Sequence, residues 1–200
     1  MHHHVGMTTR SRARAITATV LTVSASLALA ACSGGGHGGA EPTATATTGV
    51  IGKRVTQTCA ELLPAGALTV YGRTFEPVPS FRPPKGTPAA TIAAQRGRAC
   101  AVRATDDAST TITFAVAHLP EKSLTNLKDA LYQRGGSVPT YRVEGYFALS
   151  DAGVGRADAF ADPYWITTSS TLFTEPGGAQ PVVDAIRAAV QPTASATPAG

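Results

Sequence analysis

The sequence predicts an α+β fold in which an antiparallel sheet carries helices on one face, after a short helical N-terminus and with one disulfide. Three observations point to it. Short runs rich in β-branched and aromatic residues recur between tight-turn signals, two segments space leucine or valine at helical intervals, and the order strand-strand-strand-helix occurs twice. Consecutive strands joined by short turns pair antiparallel, and amphipathic helices that follow them must bury their apolar stripe on the sheet.

Residues 59–63 and 64–71 read as one or two short helical turns, stopped by Gly72. Residues 73–88 predict no regular structure, because Pro77, Pro79, Pro83, Pro84 and Pro88 remove backbone donors and fix φ. Short strands are expected at 91–94 and 100–104, around a turn at Arg96-Gly97-Arg98. Residues 110–117 alternate, with Ile112, Phe114 and Val116 on one side and Thr111, Thr113 and Ala115 on the other. A helix follows, with Ser123 as its expected N-cap, Leu124, Leu127 and Leu131 on one face and Gly135-Gly136 at its end. Strands at 141–149, 156–161 and 165–172 are separated by turns at Gly153-Val154-Gly155 and Asp162-Pro163. The last helix is expected to start at Pro181, bury Val182, Val183, Ile186 and Val190, and stop before Pro192. The repeated order hints at two related halves, although their residues do not align as a duplication.

These elements fall in one domain, residues 50–190, long enough for a single core. Ahead of it, residues 1–31 combine a tag-like start with an export leader. Arg10, Arg12 and Arg14 precede fifteen residues, 15–29, that carry no charge. That run is too short to span a membrane permanently, which takes about 20 residues. It ends in Leu29-Ala30-Ala31-Cys32, which resembles the lipobox of bacterial lipoproteins. The resemblance implies that the Cys32 thiol takes diacylglycerol and that a peptidase cuts before it. The protein is then expected at the outer face of the cell membrane, held by acyl chains that contribute ~0.8 kcal/mol per buried methylene.

Residues 32–49 are the lipidated cysteine and a flexible Gly/Ala/Thr-rich tether, with a reach of roughly 20–25 Å. Residues 191–200 have similar composition and are expected to be a disordered tail. Removing the three leader arginines from 17 basic residues leaves 14 against 13 acidic ones. The basic charge of the whole chain therefore belongs to the leader, and nucleic acid is not an expected partner.

Two cysteines, Cys59 and Cys100, remain in the domain, and in an exported chain such a pair predicts a disulfide. Closing that loop of about 42 residues would contribute up to ~4 kcal/mol in the chain-entropy view. A redox or metal role would call for C-x-x-C spacing or histidine partners, and neither occurs. The segment Cys59-Ala-Glu-Leu-Leu-Pro64, Gly72, a strand opening at Cys100 and a closing run of strands plus helix resemble the small cysteine-paired envelope lipoproteins of actinobacteria, whose domains have no assigned function. The resemblance covers residues 58–190. Many members carry an aromatic two residues after the second cysteine, where this chain has Val102. The resemblance implies an envelope location and an accessory role, and it brings no catalytic residues.

Motifs for catalysis are missing from the sequence. Gly135-Gly136-Ser137-Val138-Pro139 lacks the second glycine of a nucleophile elbow, and no S-x-x-K occurs. His37 lies in the tether, which leaves His118 as the one candidate general base, with Asp106 or Asp107 to orient it. The plainer reading of His118 is a polar strand end. Asp151, Asp158 and Asp162 lack calcium-loop spacing, and no metal or other cofactor is expected.

Binding has two candidates. One is the proline-stiffened loop with Phe75, Phe81, Arg82 and Lys85, where the phenylalanines could instead peg the loop to the core. The other is Trp165 with Tyr164, Tyr141, Tyr146 and Phe147 on neighbouring strands, where alternation lets only one of Tyr164 and Trp165 face a one-sided core. The expectation is a non-enzymatic, membrane-anchored protein that binds an envelope protein, a glycan or a small ligand. An envelope hydrolase or transferase is the alternative. A lipid carrier is a further one, and it requires an apolar cavity.

Overall fold

The computed structural model describes residues 51–192. The expected leader, Cys32, the expected tether with His37 and residues 193–200 lie outside the described residues. Six strands form one antiparallel sheet: β1 (Phe75–Pro77), β2 (Arg98–Ala104), β3 (Thr111–His118), β4 (Glu144–Leu149), β5 (Gly155–Ala161) and β6 (Tyr164–Ser170). Their order across the sheet is β1-β2-β3-β6-β5-β4, so two runs of consecutive strands meet at the centre, where Ala115 pairs with Thr167. Four α-helices accompany them, α1 (Cys59–Leu62), α2 (Pro88–Ala94), α3 (Glu121–Gly135) and α4 (Pro176–Val190), with a 3₁₀ helix at Ala65–Tyr71. The fold is α+β with an antiparallel sheet, and Cys59 and Cys100 are bridged with Cα atoms 5.9 Å apart.

The helices divide between the two faces of the sheet. Ile112, Phe114 and Val116 of β3 pack with Val182, Val183 and Ile186 of α4 and with Leu62 of α1. Ala115 and Ala117 of the same strand face the other way, among Ile92 of α2, Leu124 and Leu131 of α3, and Trp165. The expectation of one covered face missed this because the second face of β3 offers only alanine and threonine, which alternation reads as solvent-facing. The split also bears on the repeated order. A two-fold axis normal to the sheet would leave both long helices on one face, so the two halves are not related by such a dyad.

Several boundaries differ from the sequence expectation, each for a local reason. Residues 91–94 are helical: Thr87 accepts a hydrogen bond from the Ala90 N–H, and Pro88 occupies the first helical position, where its missing donor costs nothing. The proline-rich segment contributes β1, because Pro77 sits on an edge strand and Val78 N–H reaches the Ala101 carbonyl. Helix α3 starts at Glu121 after Pro120, without a side-chain cap from Ser123. Strand β4 starts at Glu144, with Tyr141 buried ahead of it, and β6 ends at Ser170.

Helix α4 starts at Pro176, and Pro181 lies inside it. A proline there removes the N–H that would bond the Gly177 carbonyl four residues back. Around that gap two tyrosines grip the helix start. Tyr71 OH donates to the Gly178 carbonyl at 2.7 Å, and Tyr141 OH donates to the Pro176 carbonyl at 3.2 Å. Burial pushes both phenol pKa values above the ordinary tyrosine value, so the hydroxyls remain donors throughout the physiological range. At the other end of this layer, Thr58 and Glu61 form a reciprocal capping box on α1, which presents Cys59 to Cys100.

Candidate functional site

Strand β5 reads Gly-Arg-Ala-Asp-Ala-Phe-Ala, and its alternation separates two chemistries. Ala157, Ala159 and Ala161 lie under α4, where their small size admits a close helix. Arg156, Asp158 and Phe160 point to the opposite face, beneath α2 and α3. There α2 presents Pro88 and Thr91, with Gln95 as its C-cap, and α3 presents Ser123, Leu127, Leu131 and Arg134. The α3 set is spaced i, i+4, i+8, i+11, a stripe roughly 16 Å long at 1.5 Å per residue. The two helices leave a slot of about 450 Å3 between these stripes, floored by Arg156, Asp158 and Trp165.

The floor is held by a carboxyl group that is 2 % exposed. Trp165 Nε1 donates to Asp158 Oδ1 at 3.0 Å, and Arg156 Nε donates to Asp158 Oδ2 at 3.0 Å. Both carboxylate oxygens are thus committed, in surroundings where hydrogen bonds are strengthened by poor solvation. Only the Nε of Arg156 is used this way, and its Nη groups have no acceptor among the described residues. Arg134 makes no ion pair among the described residues either.

Polarity changes along the slot. One end is lined by Gln95, Leu119 and Ser123, with Trp165 of β6 paired opposite Ala117. The other end holds Arg134 and Arg156, beside Gly86 and Pro88, and two smaller cavities of about 70 and 130 Å3 adjoin it at Arg156. Phe160, the partner of Trp165, stands four residues from Arg156 on β5, about 13 Å along the strand. The outer side of α3 is tied down by Lys128, which lies 2.8 Å from Asp162 and 3.3 Å from Glu144, 5.3 Å above the Phe160 ring. Burial works against the Lys128 charge, but the hydrogen bonds and charges of those two carboxylates outweigh it and leave its pKa above the usual lysine value.

No family model, curated protein or solved structure matches this chain. The chemistry of the slot is therefore read from its own side chains.

Of the residues singled out in the sequence, Trp165 lies on the slot floor. Tyr164 faces the α4 side, half-buried, and both rings find a core because both faces are covered. Tyr146 belongs to the slot face, whereas Tyr141 and Phe147 belong to the α4 face. Phe75 is on the α4 side as well, edge-on to Tyr71 at 6.1 Å, which makes it a structural peg. Phe81 is half-buried, and Arg82 and Lys85 are exposed. From that loop only its end, at Gly86 and Pro88, reaches the slot.

His118 does not meet Asp106 or Asp107. It closes β3, while the two aspartates precede Thr111 at the opposite end, so the strand alone separates them by about 24 Å. The His118 ring is edge-on to Tyr164 at 5.2 Å, and its Nδ1 is buried without a partner. Asp107 serves the turn before β3. The Ser109 hydroxyl, the Thr110 hydroxyl and the Ser109 N–H hold its pKa well below the usual carboxylate range, and Arg73 adds to this. Among the described residues no cluster of three metal-ligating side chains forms.

Sequence reasoning missed Arg134, Arg156 and Asp158 as site residues. The signal for two of them was the i, i+2 pair of opposite charges inside an otherwise small and apolar strand, a costly placement unless the charges meet. Asp158→Ala removes the acceptor of a buried indole N–H and the counter-charge of Arg156. Unfolding in urea should show a loss of about 1–3 kcal/mol, and Trp165 emission should move to the red as water reaches the indole. An unchanged midpoint and unchanged emission would show that the floor does not depend on this carboxylate.

Proposed function

We propose that this chain is an exported lipoprotein, anchored through Cys32 at the outer face of the cell membrane, whose domain binds a small ligand in the slot between α2 and α3 without chemically altering it. The slot carries the reading. Its volume of about 450 Å3 falls within the usual range of small-molecule sites, and its lining sets Leu119, Leu127, Leu131 and Trp165 beside fixed polar groups. An envelope hydrolase or transferase needs converging acid, base or nucleophilic groups. In the slot the one carboxylate has both oxygens engaged, and His118 is not among the lining residues. The leader pattern, the lipobox-like segment and the resemblance to actinobacterial envelope lipoproteins support the anchored location. Among the described residues no helix is long and apolar enough to cross a membrane.

Trp165 is the sole tryptophan of the chain, so the slot carries its own fluorophore. The neutral dye N-phenyl-1-naphthylamine should bind saturably, one per chain, with energy transfer from Trp165. Thr91→Phe, which adds a ring to the α2 wall, should weaken that binding at least tenfold at an unchanged melting temperature. Binding that ignores Thr91→Phe would move the ligand elsewhere, and absence of saturable binding would remove the slot as a ligand site. The anchor has its own test. Cys32→Ala should abolish metabolic labelling by an acyl-chain analogue, and undiminished labelling would exclude Cys32 as the lipid-bearing residue.

A further inference from the structure

We propose that the slot takes a single-chain amphiphile with an oxyanion head, a carboxylate or a phosphate monoester. The head lies at Arg134 and Arg156, and the chain runs past Leu131, Leu127 and Trp165 toward Leu119. The inference rests on the slot being a ligand site and adds the chemical class and the orientation of the ligand.

Shape is the first support. The lining residues of α3 form a line from Ser123 to Arg134, and the floor repeats the same direction from Trp165 to Arg156, so the slot is elongated along the strands. At roughly 30 Å3 per atom-sized unit, a volume of about 450 Å3 admits ~15 heavy atoms. That is the size of one aliphatic chain and its head.

Charge is the second support. The slot is lined by two guanidinium groups and one carboxylate, and that carboxylate already receives Arg156 Nε and Trp165 Nε1. Two acids of α3 itself, Glu121 and Asp129, do not line the slot, and Glu144 and Asp162 beside it are engaged by Lys128. A surplus of positive charge therefore remains at one end, offered by planar forks that match carboxylate and phosphate oxygens in pairs. The opposite end, at Leu119 and Ser123, carries no charged lining residue. A cationic head would meet two arginines there and no uncommitted carboxylate among the lining residues, and a neutral head would leave the Nη donors without a charged partner.

Trp165 emission distinguishes these cases in the full chain carrying Cys32→Ser, which leaves no acyl anchor to compete. Dodecanoate, dodecyl phosphate, dodecyltrimethylammonium and dodecanol would each be titrated below their micellar concentrations. The two anions should saturate with dissociation constants at least tenfold below those of the cation and the alcohol. Arg134→Gln should weaken dodecanoate about tenfold and leave dodecanol within twofold, because Arg134 is exposed and only the head touches it. Equal affinity for cation and anion, or an alcohol affinity that falls together with the anion in Arg134→Gln, would overturn the head assignment while the slot stands. No response to any of the four probes, in protein that still binds N-phenyl-1-naphthylamine, would overturn the amphiphile class. Loss of the dye as well would overturn the slot reading itself.

Discussion

The Asp158 carboxyl group sits where almost no water reaches it, and the whole slot face is arranged around the two donors that hold it there. A carboxylate in such a place is tolerated only with its lone pairs filled. Trp165 supplies one bond from β6 and Arg156 the other from β5, so the network crosses two neighbouring strands and fixes the indole edge and the guanidinium plane together. The outer nitrogens of Arg156 have no acceptor among the described residues and keep their access to solvent at one end of the slot.

The two faces of the sheet therefore do different work. On the α4 side the apolar side chains of β3, the alanines of β5 and the valines of α4 make a buried layer, with the Cys59–Cys100 bridge tying α1 to β2 and two tyrosine hydroxyls fixing the start of α4. That layer supplies the rigidity. The α2–α3 side is held at its edges, by Lys128 outside α3 and by Thr87 at the start of α2, and stays open between them. A binding groove needs this division, because a ligand can displace water only from a wall that does not collapse in its absence.

Much of the fold was legible because the strong signals were local. The alternation of 110–117, the leucine stripe of α3, the valine stripe of α4, the stop at Gly72 and the pairing of Cys59 with Cys100 each follow from a few adjacent residues and one rule. Helix α2 was misread because residues 91–94 are short and apolar, and the deciding cap, Thr87 followed by Pro88, stood at the end of a segment already assigned as irregular. The candidate site was less legible. Trp165 stood out by rarity, but Arg134, Arg156 and Asp158 acquire meaning only when β5 and α3 are brought together, and no spacing rule links positions 134 and 156. The proline-rich loop drew attention by composition; its Phe75 packs against the core, and its end reaches the slot through Gly86 and Pro88.

The indole N–H resonance of Trp165 in nitrogen-15-labelled protein reports the network and the slot at once. It should give a single peak, protected from solvent exchange by the bond to Asp158, and dodecanoate should shift it saturably together with the amides of Leu127, Leu131 and Arg134. The amides around Tyr71 and Phe75, on the other face, should stay in place. A rapidly exchanging indole, or shifts confined to the α4 face or the loop at Arg82 and Lys85, would contradict the account.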